Sequence, residues 1–173
     1  SGRRQVRQIG SQYFSFTVQM PPLQQDKAQE VFAFLQKQKG SFGDFTIGAP
    51  LDNLGAAKAE TDIQVVGSHI AGDASINLDG FTASQANALK AGDLVRFNNH
   101  SKVYMVTDNI DAESDGTLTL TIEPNLVASL ADNEAVIVNK PKFKVYLESN
   151  EIMYSTDASG FYNISFDVRE VIT

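Results

Sequence analysis

Apolar residues recur with period two at the start of the chain, where Phe14, Phe16, Val18 and Met20 alternate with Ser15, Thr17 and Gln19. Successive side chains of a strand point to opposite faces, so residues 13–20 are predicted to form a half-buried strand. Pro21-Pro22 ends it, because proline has no amide hydrogen to give a ladder. The period then changes. Ala28, Val31, Phe32 and Leu35 fall three and four apart, which predicts a helix over 23–39 with one apolar face. Asp26 lies early in it, Lys37 and Lys39 lie late, and Gly40 follows, an order that suits the helix dipole and a glycine stop. Residues 42–47 read as a further short strand. Residues 48–60 are small and polar, with Pro50 and Gly55 among them, and read as a linker or long loop.

The stretch 89–124 has another rhythm. Runs rich in Val, Thr, Tyr and Phe at 93–97, 102–107 and 118–122 are separated by Asn98-Asn99-His100 and by the acidic segment 108–116. Such runs between Asn, Asp and Gly clusters predict a β-meander. A short helix is expected over 84–89, with Thr82 as its N-cap. After Lys140-Pro141 the first style returns. Phe143, Val145 and Leu147 alternate over 142–147, and Tyr162, Ile164, Phe166 and Val168 alternate over 161–171. Neither flank holds enough strands to be stable alone. The economical arrangement is one α+β domain built from residues 1–55 and 140–173, with an acidic β-barrel domain of residues 61–139 inserted into it.

Charge supports that division. Residues 1–50 carry six basic and three acidic groups, residues 51–139 carry four and thirteen, and residues 140–173 carry four and five, for a net charge of −7. An acidic middle argues against a grip on nucleic acid there. No apolar run approaches the ~20 residues of a membrane span, and no secretory-type apolar segment opens the sequence. The absence of cysteine excludes a disulfide framework, a thiolate zinc site and a Cys nucleophile.

Candidate chemistry is thin. Asp111, Glu113, Asp115 and Gly116 resemble the start of a calcium loop, but the position that should hold a bidentate Glu is Ile122. Asp-Gly is also a common hairpin turn, so a solvated turn is the expectation and a cation site the weak alternative. His69 and His100 stand in separate turn-like segments and read as surface histidines. No nucleophile elbow, phosphate loop or dinucleotide fingerprint is present, and no cofactor is expected. Arg3, Arg4 and Arg7 form a basic arm without a base-stacking pattern, which suits contact with a neighbouring subunit. The aromatics Tyr13, Phe14, Phe16, Phe32, Tyr162 and Phe166 read as core. Phe34 lies off the helix stripe and is a second candidate subunit contact.

The segment from the strand ending in Pro-Pro through DKAQEVFAFLQKQKG to FGDFTI is similar to tail proteins of tailed bacteriophages. AGDLVRF, KVYMVT and GTLTLTIEP resemble them as well. The closest class is the distal tail, or baseplate hub, family. The resemblance implies a mainly β fold: a tail-tube-like β-sandwich with one flanking helix, plus an inserted OB-like barrel. It implies a non-enzymatic virion component that forms a hexameric ring, contacts tail tube, hub and tip proteins, and lets genomic DNA pass without specific binding. No membrane insertion is implied; the place is the virion tail, with assembly in the host cytoplasm. Three other readings compete. A tail-tube subunit would share much of the pattern. A carbohydrate-binding module would need an exposed aromatic in the barrel, with Phe81, Phe97 and Tyr104 as candidates. An enzyme would need a nucleophile or carboxylate set that the sequence does not single out.

Overall fold

Among residues 12–156 and 158–172, which the computed structural model describes, eleven strands and one α-helix follow one another along the chain. They are β1 (Ser15–Gln19), α1 (Gln25–Lys37), β2 (Asp44–Gly48), β3 (Gln64–Val65), β4 (Ser75–Asp79), β5 (Leu94–Phe97), β6 (Tyr104–Val106), β7 (Leu118–Glu123), β8 (Val136–Ile137), β9 (Lys142–Leu147), β10 (Tyr154–Thr156) and β11 (Tyr162–Glu170). Arg3, Arg4 and Arg7 lie outside the described residues.

The strands make two antiparallel sheets. The first runs β1-β11-β9-β2, with β10 paired to the N-terminal half of β11. It draws its strands from both ends of the chain, as the alternating patterns of 13–20, 142–147 and 161–171 predict. Register puts Phe16 opposite Val168, Val168 opposite Leu147, and Phe45 opposite Val145. One face of this sheet is therefore apolar. The other is polar, with Thr17 donating to Asp167 and Lys144 paired to Asp44 at 2.8 Å. Helix α1 lays Ala28 and Leu35, both fully buried, on the apolar face.

The second sheet runs β3-β4-β7-β6-β5-β8 and is nearly closed. Val65 N donates to Glu134 O and Val136 N to Ile63 O, bringing the end of the chain segment at β8 back to β3. Inside it lie Ile63, Ile76, Leu78, Phe97, Tyr104, Leu120 and Ile122, none more than about 1% exposed. The 93–122 meander is present as β5-β6-β7. The fold is thus mainly β with one helix, a sheet and a barrel-like sheet.

Several expectations change. Residues 84–89 form turns, not a helix, because Ser84 and Asn87 adopt positive φ of 55° and 49°. The strand expected from 42 begins at Asp44, after a 3₁₀ turn over Gly40–Phe42. His100 is buried at 6% exposure, where the sequence suggested a surface histidine. It sits in the turn after β5 and packs edge-on to Phe97. Tyr13 precedes β1 and is half exposed, so it leaves the core and lies under the Arg169 guanidinium.

Candidate assembly surface and the seam beside it

A sheet that presents its outer strands without partners offers rows of unpaired N–H and C=O groups to another chain. Among the described residues the path β1-β11-β9-β2 ends on β1 and β2, each five residues long and each paired on one side, while β10 pairs with β11 alone. Beside β2 the chain turns out of α1 with Lys39 and Gly40 in the left-handed region, at φ 58° and 66°. Ser41 N donates to Asn150 Oδ1 at 3.0 Å, which holds this turn. A Cβ on Gly40 would come within 2.0 Å of the same oxygen, so glycine is required for space as well as for φ. The turn thrusts Phe42 into solvent at 87% exposure. Phe34 of α1 is 43% exposed and stands edge-on to Phe45 of β2, 5.3 Å between centroids. Phe34 and Phe42 thus lie next to the same outer strand. Met153 and Tyr154 add a further exposed apolar pair at β10. Large apolar side chains gathered in this way mark interaction surfaces.

The barrel is fastened to its linkers by a buried polar clasp. Asn53 Nδ2 donates to Leu94 O and to Val138 O, both at 2.7 Å, and its Oδ1 accepts Leu94 N at 2.8 Å. Asp93, 2% exposed, accepts Leu54 N, Gly55 N and Lys90 N between 2.7 and 2.9 Å. Gly55 is the only residue type that fits beside it, since a Cβ there would meet Asp93 Oδ2 and Ala88 O at 2.5 Å. The clasp joins the incoming segment at 53–55 to the outgoing one at Val138. Nothing in the periodicity of this loop marked it.

A second polar cluster lies where barrel and sheet meet. Lys102 and Glu170 form an ion pair with both side chains fully buried. Glu170 also accepts Val103 N at 2.7 Å and Phe14 N at 3.1 Å. Lys102 Nζ lies 4.8 Å over the Phe14 ring, a cation–π distance. Burial pulls the Lys102 amine below its ordinary value, against the opposing pull of Glu170.

The calcium-like segment carries turn hydrogen bonds. Asp111 Oδ1 accepts Asn87 N at 2.6 Å, and Asp115 Oδ1 accepts Thr117 N and its hydroxyl. The Thr117 hydroxyl and amide hold the Asp115 carboxyl below its usual value. Gly116, at φ 80°, completes the hairpin turn. Among the described residues no three His, Asp or Glu side chains gather to hold a metal ion. Phe81, Phe97 and Tyr104 are 6% exposed or less and face the barrel core. On the barrel surface Asp62, Asp108, Asp111, Glu113, Asp115, Glu123 and Asp132 are exposed. No helix among the described residues is long and apolar enough to cross a membrane.

Residues 57–140 match the family model described as distal tail protein pb9, B domain. The matched stretch spans the whole barrel-like sheet, from before β3 to after β8. No curated protein matches the chain. The match supports a structural role in a phage tail and contact with other tail proteins.

Proposed function

We propose, from the match of residues 57–140 to the distal tail protein pb9 B domain, that this chain is a ring subunit of a phage tail tip, a distal tail or baseplate hub protein. Residues 1–55 and 140–173 form the ring-building domain and residues 61–139 the inserted domain. Copies associate head to tail into a hexameric ring that joins the tail tube to the hub and tip proteins. DNA passes through without specific binding. The family match carries this reading. The two outer strands and the apolar residues beside β2 support it, because a closed ring needs two different surfaces on each copy. Phe34, with Arg3, Arg4 and Arg7, belongs to the subunit contact. The exposed acids of the barrel would repel passing phosphates wherever they face the lumen. The role needs no catalysis and no cofactor, and its place is the virion tail after assembly in the host cytoplasm. The glycan-binding reading has lost its aromatic platform, since the three barrel candidates are buried.

The test is the mass of the purified protein by light scattering across a concentration series. A reversible climb toward six copies is the expected result. A strict monomer at every concentration counts against a self-closing ring.

A further inference from the structure

The apolar face of β11 runs Tyr162, Ile164, Phe166, Val168 by strict alternation, and the next residue on that face is Glu170. A position that the pattern reserves for a hydrophobic side chain holds a carboxylate instead. That carboxylate is 3% exposed and is met by three donors from two separate segments. Phe14 N comes from the lead into β1, while Val103 N and the Lys102 amine come from the barrel. Ser101 Oγ adds a hydrogen bond to Val171 O at 3.1 Å beside them. Apolar contacts also cross this seam: Leu94 and Val103 of the barrel side pack in the same cluster as Phe143, Val145 and Val168.

These two kinds of contact differ in what they can fix. Apolar burial is non-directional, so it favours the docking of barrel on sheet without choosing its angle. Burying two charges adds little net stability, and apolar side chains of similar size often do as well or better. What the charged cluster supplies is direction, since each of its bonds is satisfied at one setting only. The Asn53–Asp93 clasp cannot supply it, because its partners lie in the linkers and the barrel.

We propose that the Lys102–Glu170 pair is an orientation latch that holds the barrel at one angle on the five-stranded sheet, an angle that the apolar packing alone does not set. The proposal stands whether or not the chain closes a ring. Because the protein has no cysteine, two spin labels can be placed cleanly on the full chain. Gln36→Cys on α1 and Ser114→Cys on the 108–117 turn are both exposed. Pulsed dipolar spectroscopy then reads the distance between helix and barrel. The otherwise unchanged labelled protein is expected to give one narrow distribution. The same labels with Lys102→Met and Glu170→Leu together, which leave no buried charge unpaired, are expected to broaden it at least twofold, with circular dichroism unchanged. A double variant that keeps the narrow distribution overturns the latch and assigns orientation to packing. A broad distribution without the double substitution overturns it as well. A double variant that does not fold also overturns it, because the pair is then required for the fold itself.

Discussion

Replacing Asn53 by Ala tests whether the buried clasp is what joins the two linkers of the barrel. The substitution removes three hydrogen bonds, at 2.7, 2.7 and 2.8 Å, and leaves Leu94 N, Leu94 O and Val138 O without those partners. Asn53 and Leu94 are buried, so water does not readily replace the amide. An unsatisfied buried polar group costs about 1–3 kcal/mol. Carbonyls tolerate loss better than amides, so the expected sum is about 3–5 kcal/mol. For a chain of this size that is roughly a 10 °C fall in Tm, or a fall of about 1–2 M in the urea midpoint. Asn53→Asp sharpens the test. It keeps an oxygen facing Leu94 N but sets a carboxylate against the two carbonyls. At pH 7 it should be at least as damaging as Ala. Burial among carbonyls raises the pKa of such a carboxyl above about 3.9. The native state then binds more protons than the unfolded state below that raised value, so the Asp variant should regain stability as pH falls. An Ala variant within about 1 kcal/mol of the parent would refute the reasoning, as would an Asp variant more stable than Ala at neutral pH.

The remaining predictions concern the barrel core and the outer surface. Tyr104 is fully buried and its hydroxyl accepts Val127 N at 3.2 Å while lying 3.3 Å from His100 Nδ1; Tyr104→Phe should cost about 1–2 kcal/mol by urea unfolding. Burial raises the Tyr104 pKa above 10.0 against the opposing Val127 hydrogen bond, so its stabilising contribution is complete below pH 10.0 and is lost as pH rises through the raised folded value. The parent should lose stability there with a slope of up to about 1.4 kcal/mol per pH unit from this group. The Phe variant should lack that part of the slope, and equal slopes would sink the assignment. Phe42→Ser, at a side chain 87% exposed, should leave Tm unchanged but lower the association constant in the light-scattering series at least tenfold. An unchanged series would remove Phe42 from the subunit contact.

Local pattern predicted the elements whose neighbours agree with it. The alternation of Phe14, Phe16 and Val18 and that of Phe143, Val145 and Leu147 became β1 and β9, because one face of each meets an apolar cluster. The Ala28–Leu35 spacing became α1 for the same reason. Where tertiary bonds decide, local pattern fails. Residues 84–89 have helical composition, but Ser84 N is taken by Glu113 O and Asn87 N by Asp111 Oδ1, and those bonds draw the segment into turns against the 108–117 hairpin. His100 looked like a turn histidine, yet the turn after β5 folds its ring inward. Its Nδ1 faces the Tyr104 hydroxyl and its Nε2 lies 3.4 Å from Ser129 O. Ser129 O can only accept, so a neutral imidazole that bonds it carries its proton on Nε2 and leaves Nδ1 to accept from the Tyr104 hydroxyl.

The clasp and the latch were invisible for a different reason. Asn53, Asp93, Lys102 and Glu170 are ordinary loop or strand-end residues in sequence, and their partners lie between 38 and 156 positions away for most of the bonds that matter. One of the four left a trace. Glu170 breaks the alternation of β11 at the last inward position, and a charge on an apolar phase must either end the sheet or find a countercharge inside. Here it finds both Lys102 and two backbone amides. Buried side chains at the seam thus carry the polar bonds that join the barrel and sheet, while the barrel surface is left to its acids and the sheet to its outer strands. In the ring proposed for this chain, changes on the outer surface would then leave the seam untouched.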